Sequence, residues 1–164
     1  MINILKQIFS FILPFSVLVI VPLWIEQNRT LDMGFHLFAG LVLILFGLAM
    51  MTITISSFIR IGKGTLAPWS PTKRLVIKGP YRYVRNPMIL GVMTVLLGEA
   101  TSLWSQNILM WTGLFFLINT IYFILYEEPN LEEKFGEDYS RYKKQVSRWL
   151  PRLTPFKSQK QIES

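Results

Sequence analysis

Residues 78–91 read KGPYRYVRNPMILG, and the step inside them from polar to apolar decides the fold. Lys78, Arg82 and Arg85 alternate with Tyr81 and Tyr83, and an Asn86-Pro87 step opens an apolar run. Asn is a favoured helix N-cap and Pro suits the first helical position, so a helix starts at Pro87. The residue before a proline is pushed out of the helical region, which keeps Asn86 outside it. Basic and tyrosine side chains ahead of an apolar helix are what a membrane–water boundary selects. Gly79-Pro80 adds a turn that folds the cluster into a compact shape.

The apolar run is one of four. The others cover about residues 4–24, 35–59 and 108–126, and the one begun at Pro87 ends near 103. Crossing the hydrocarbon takes ~20 helical residues, so three of the runs are long enough and the third is short. Of the 164 residues 51% are hydrophobic and only 16% charged, below the quarter usual in soluble domains. The sequence therefore predicts an all-α integral membrane protein with about four transmembrane helices. It forms one domain over residues 1–156, followed by a flexible tail at 157–164.

The net charge of +7 is not spread evenly. With a cytoplasmic N-terminus, sixteen of the 17 Lys and Arg residues fall on cytoplasmic segments, and only Arg29 lies outside. That is a positive-inside pattern with both termini cytoplasmic. It assigns the basic charge to a lipid surface and not to nucleic acid. Lys6 is the sole basic residue at the N-terminal end, and no small-residue cleavage site follows the first run, so that run is expected to be retained as a span. With no cysteine and one histidine, thiolate chemistry, disulfides and a histidine-based metal site are excluded. The lack of cysteine and the short outer loops fit a bacterial or archaeal cytoplasmic membrane.

Beyond Tyr126 the pattern changes. Leu131, Phe135, Tyr139, Tyr142, Val146 and Trp149 recur at steps of three and four, with Glu, Lys and Arg on the other face. This predicts amphipathic cytoplasmic helices over about 128–148, divided at Gly136 as a C-cap. Pro129 should kink or restart the helix. The last dozen residues look loose. Loop 60–86 contains Pro68 and Pro71 and cannot be one helix.

Two polar clusters carry the chemistry. One is the start of the third run, where free backbone N–H groups and a positive helix end lie beside Arg82 and Arg85, a setting for an anion such as a carboxylate. Tyrosines there can pack on a flat ring. The other is Glu127-Glu128, an acidic pair at a helix C-terminus, where the helix dipole disfavours it. If the third and fourth runs pack antiparallel, Arg82 or Arg85 can compensate the pair. Glu99, His36, Thr52, Thr54, Ser56 and Ser57 read as interfacial or helix-packing groups.

Taken together, GPYRYVRNPMILG followed after one helical hairpin by EEPNLEEKFGEDYSRYKKQV resembles the isoprenylcysteine carboxyl methyltransferase and phospholipid methyltransferase superfamily. The matching positions are Gly79, Tyr81, Arg85, Pro87 and Gly91, then Glu127, Glu128, Leu131, Phe135, Gly136, Tyr139 and Tyr142. The resemblance implies a cytoplasmic pocket for S-adenosylmethionine and a lipophilic or small acceptor arriving from the bilayer. It places Tyr81, Arg85, Asn86, Pro87, Met88, Gly91, Glu127, Glu128, Tyr139 and Tyr142 around the cofactor, the two last tyrosines as a lid. Glu127, Glu128 and Arg148 are expected in the chemistry, Arg148 as anchor of the tail or partner of an anionic acceptor. Arg85→Ala is expected to abolish cofactor binding and leave the fold intact. No metal is implied. Asn86 stands where the family carries His and cannot act as a base near neutral pH, and Met88-Ile89 replaces the family's usual pair. Two alternatives remain open, a sterol-type reductase using NADPH and a non-catalytic membrane scaffold.

Overall fold

The computed structural model describes residues 12–27, 33–57 and 75–157. Among them every regular element is helical. Helix α1 covers Ile12–Ile25; α2 covers Phe35–Ser57; a 3-10 turn covers Gly79–Arg82; α3 covers Pro87–Ser102; α4 covers Gln106–Tyr122. A π-helical turn at Phe123–Glu127 joins α4 to α5, Glu128–Gln145. The expected tight turn at Gly79-Pro80 is thus present.

The all-helical expectation is met, and the four-span expectation is met in part. Two helices are long and apolar enough to cross a membrane: α2, and the continuous helix that starts at Gln106, whose apolar stretch ends at Tyr126. With 16 residues α3 reaches only ~24 Å. Its start is fixed at Pro87, and its end is closed by a pair of reversed hydrogen bonds, Ser105 N–H to Ala100 carbonyl (2.9 Å) and Trp104 N–H to Thr101 carbonyl (3.3 Å). That pattern requires a left-handed residue, and Trp104 supplies it with φ 48°. Ser105 then caps α4 by accepting from the Ile108 N–H, and its hydroxyl is held by Glu26. The start of the first span at about residue 4, Arg29, the end of the second span past residue 57, and Pro68 and Pro71 of the loop lie outside the described residues.

Helices α2 and α3 run antiparallel in backbone contact. A Cβ on Gly47 would sit 2.7 Å from the Gly91 carbonyl oxygen, and one on Gly98 would sit 2.7 Å from that of Gly40. Small residues at such spacing are how helices approach closely in lipid, where no hydrophobic gain separates one apolar face from another. Of the hydroxyls on α2, Thr52 and Ser57 bond back to their own helix at Leu48 and Ile53, and Thr54 is wholly buried. Gly47→Leu is expected to force the helices apart and cost about 1–3 kcal/mol or more, read as a lowered unfolding temperature in detergent. Gly113→Leu is the control, because nothing lies within 4 Å of a Cβ there.

The core between the helices contains Met51, Val92, Val95, Leu96 and Phe115, with Val17 and Trp111 against it. Helix α1 is tied to α4 by a consequence of Pro22. A π-helical turn spans Ser16–Ile20, so the donor for the Val17 carbonyl would be five residues on, at Pro22, which has no N–H. The Trp111 indole N–H donates to that carbonyl instead, at 3.3 Å.

Past the membrane stretch, α5 is broken at Gly136, whose φ of 53° and ψ of −127° form a combination open essentially to glycine alone. Gly136 divides the helix as expected, but its ψ is not that of a left-handed C-cap, and helix resumes directly to Gln145. The bend turns the second arm back, so Lys143 reaches Glu132 at 2.9 Å. The segment after it is not loose. Arg85 N–H bonds the Ser147 carbonyl, Arg152 N–H that of Tyr83, and Phe156 N–H that of Arg82, each at 2.9–3.0 Å. Phe156 is buried with Tyr139, Tyr142 and Val146, against Leu75 and Ile77. The tail's docking rests on these apolar residues, spaced too irregularly to read as a helix face. The flexible tail expected at 157–164 lies outside the described residues, apart from Lys157.

Candidate functional site

Three elements converge where the apolar helices end. The 3-10 turn and the residues after it deliver Tyr81, Arg82 and Arg85. The π turn and the start of α5 deliver Glu127 and Glu128. The returning arm of α5 delivers Tyr139, Tyr142 and Lys143, and the segment just past it delivers Arg148.

Glu128 is the hub. It is 3% exposed, yet three cations reach it. Its Oε1 meets Arg85 Nη1 at 2.8 Å and Arg148 Nε at 2.6 Å, and its Oε2 meets Lys143 Nζ at 3.2 Å. Burial pushes the carboxyl upward, but the hydrogen bond from Arg148, the charges of Arg85 and Arg148 and the bond from Lys143 outweigh it. The net effect holds Glu128 below the usual carboxylate range, ionised with both oxygens engaged.

Glu127 differs in every respect. It is half-buried, and among the described residues no Lys or Arg pairs with it. Its carboxylate accepts a hydrogen bond from the Tyr122 hydroxyl at 3.3 Å. Desolvation raises its carboxyl above the usual range, and the tyrosine bond opposes this only in part. The pairing follows from the π turn, since residues five apart share a face there. Pro129 lies just beyond, and the Glu128 N–H closes the turn on the Phe123 carbonyl. The kink expected from Pro129 is thus taken up as a change of helical register. Tyr126 stacks on Tyr122 at 6.1 Å. Tyr81 lies near enough for Glu127's charge to add to burial in pushing its phenol up.

The expected compensation of the acidic pair across α3 and α4 is present, through Arg85. Arg82 instead donates to the Phe156 carbonyl at 2.9 Å. Arg85 also donates to the Tyr139 hydroxyl at 3.3 Å, while its Nε is buried and has no partner among the described residues. Asn86 holds the N-cap position and Pro87 the first turn, but the Asn86 side chain makes no capping bond. Tyr139 and Tyr142 are buried core residues; Tyr142 donates to the Tyr81 carbonyl at 2.6 Å. Gly91 faces α2, against Gly47 and Met51. Met88 follows Pro87 in the first turn of α3. Sequence reasoning missed Lys143 and Tyr122. Lys143 depends on the reversal at Gly136, and Tyr122 on a π register whose one sequence signal is Pro129.

Much of this site falls in a stretch of sequence that matches a known family. A sequence model of phospholipid methyltransferase matches residues 35–138, from the start of α2 into the returning arm. The chain belongs to the phospholipid methyltransferase family. It is also similar to an uncharacterized protein of Haemophilus influenzae (strain ATCC 51907 / DSM 11121 / KW20 / Rd), 45% identical over 65 residues, which are 38% of this chain and all of that one. No solved structure matches. For a phospholipid methyltransferase family member with two membrane-length helices, the coarse description is a membrane methyltransferase. Two of Glu128's three partners, Lys143 and Arg148, lie beyond the matched stretch.

Proposed function

We propose that the protein is a multi-pass membrane enzyme, both termini cytoplasmic, that transfers a methyl group from S-adenosylmethionine to a lipophilic or small acceptor. The observation that carries this reading is the asymmetry of the acidic pair: Glu128 is saturated by cations while Glu127 is not. A desolvated carboxylate beside Tyr81, Tyr122 and Tyr126 suits a positively charged ligand. The donor set fits the rest of the cofactor. The Arg85 Nε is buried and unpartnered among the described residues, and Arg85 stands two residues before the uncapped first turn of α3, so both supply N–H groups suited to a carboxylate.

When bound, the cofactor supplies a methyl on a positively charged sulfur, open to in-line displacement. The chain's part is to align the reactants and exclude water. Arg85 and the start of α3 hold the carboxylate end. Glu127 faces positive charge and, for an amine acceptor, takes the proton released as the new N–C bond forms. Glu128 holds the C-terminal arm against Arg85 and leaves no oxygen free for proton transfer. Tyr139 and Tyr142 pack as the floor of that arm.

The engagement of Arg85 with Glu128 revises the expected outcome for Arg85→Ala, which would also take away one of the three cations that hold a buried carboxylate. Arg85→Lys keeps the charge and loses the Nε donor. Calorimetric titration of the detergent-purified protein with S-adenosylhomocysteine should show saturable binding. A charge-assisted hydrogen bond is worth ~1.5–3 kcal/mol, so Arg85→Lys should weaken binding roughly 10- to 100-fold. Binding of NADPH with none of S-adenosylhomocysteine would favour the reductase alternative, which the family match speaks against.

A further inference from the structure

The chain does not leave the membrane face once α5 has turned back. Trp149 packs its ring against Phe116 at 5.3 Å and Phe123 at 5.9 Å. Both phenylalanines belong to the apolar helix that starts at Gln106. Phe123 lies four residues and Phe116 eleven residues before Glu127, which is ~6 Å and ~16 Å along the axis toward the bilayer interior. The level of Glu127 and Glu128 is where the polar cluster begins. Just past Arg148, paired to Glu128, the Trp149 ring therefore reaches down beside the hydrocarbon stretch.

Trp149 leads into Leu150-Pro151-Arg152-Leu153. Leu150 is 75% and Leu153 is 99% exposed. Among the described residues past Tyr126, these are the two large hydrophobic side chains left exposed. The other large apolar side chains described there are buried or half-buried, Val146 to 1% and Phe156 to 5% exposure. The loop is not adrift, since the Arg152 N–H bonds the Tyr83 carbonyl and the Arg152 guanidinium bonds the Gln145 carbonyl and Thr154 hydroxyl. It is a fixed turn that holds two leucines outward. At these depths the helix that starts at Gln106 exposes Leu117, Ile118 and Ile121 on α4 and Ile124 and Leu125 on the π turn. Through Trp149 the loop continues that apolar belt.

We propose that residues 149–153 form a membrane-inserted loop, its leucines seated among the acyl chains of the leaflet that adjoins the Glu128 cluster. The occupant is lipid because the loop docks, through Trp149, on a helix that is exposed, apolar and long enough to cross a bilayer. A single fully exposed leucine in water is unremarkable, but two on a rigid turn level with a membrane-length helix are not. The inserted loop stands at the side of the site, where an acceptor dissolved in that leaflet would pass. This inference rests on the membrane reading but not on methyl transfer.

The chain has no native cysteine, so single cysteines can be placed cleanly. Leu153→Cys, Ile118→Cys on α4 and Lys144→Cys on the polar arm would each be labelled with a small fluorophore in lipid nanodiscs. The readouts are quenching by lipids spin-labelled on the acyl chain and, before labelling, reaction with a membrane-impermeant maleimide. Leu153→Cys should match Ile118→Cys: quenched by the acyl-chain label and unreactive to the impermeant reagent. Lys144→Cys should react freely. Free reaction at Leu153 with protection at Ile118 would overturn the loop and leave the membrane reading standing. Free reaction at both would overturn both. Protection at Leu153 without acyl-chain quenching would also overturn the proposal, because a second protein copy would then be the cover. Leu150→Cys is the second variant should Leu153→Cys fail to fold.

Discussion

Glu128→Ala is expected to release the C-terminal arm and lower stability by about 3–5 kcal/mol, the cost of breaking a buried ion pair by removing one partner. The loss is large because Glu128 is shared. Its removal leaves Arg85, with a side chain 10% exposed, without a carboxylate, and unties Arg148 and Lys143 from the same point. Glu128→Gln should behave almost as badly, since an amide cannot balance three cations. Glu132→Ala is the contrasting control. Its pair with Lys143 is 40% and 35% exposed on the two sides, and such pairs are worth about 0–1 kcal/mol. Limited proteolysis in detergent, with thermal unfolding beside it, reads both effects. If Glu128→Ala is cut no faster than wild type, the hub has no role in holding the arm.

The same residue predicts a pH dependence whose sign is set by linkage. Glu128 is held below the usual carboxylate range in the folded state. Its contribution is therefore fully present above the ordinary carboxylate value and is lost as pH falls through the depressed one. Wild-type protein should become protease-sensitive in the C-terminal arm on acidification through that window. Glu128→Gln should be sensitive already and show no such step.

How much of this was legible in the sequence depends on the range of the interaction. Pro87 as the start of α3 and Gly136 as the break in α5 are backbone effects of single residues, and both read directly. The Arg85–Glu128 pair could be anticipated because a short connection forces α3 and α4 antiparallel. The rest depends on geometry that spacing does not encode. The Asn86 position was readable, but the absence of its capping bond was not. Gly91 belongs to the family motif, yet it faces Gly47 and Met51, a contact set by the register of two helices. The division of labour between Glu127 and Glu128 turns on one residue of π register, which aims adjacent carboxylates at different neighbours. Two adjacent glutamates look alike in sequence and are opposite in environment.

That opposition makes Glu127→Gln the most informative change in the proposed site. Its carboxyl is desolvated, unpaired among the described residues, and raised above the usual range. A folded-state acid with a raised value costs stability as pH climbs from the ordinary carboxylate value through the raised one, because the fold must then carry a desolvated charge. Removing that charge should leave thermal stability at neutral pH unchanged or slightly higher, unlike the change at Glu128. Function should move the other way. Where Glu127 takes the proton from an amine acceptor, its loss should lower kcat/KM by about 10²–10⁴-fold, the usual worth of a positioned base. Binding separates this from a purely electrostatic role. S-adenosylmethionine carries a sulfonium and S-adenosylhomocysteine a neutral thioether, so an ionised Glu127 facing that sulfur favours the former. In wild type the preference should rise as pH climbs through the raised value and the carboxylate forms; in Glu127→Gln it should be flat. Calorimetric titration of both ligands across that range measures it. A variant that folds, binds both ligands as wild type does and shows the same pH profile would remove Glu127 from the site and leave the π turn with no role in the chemistry.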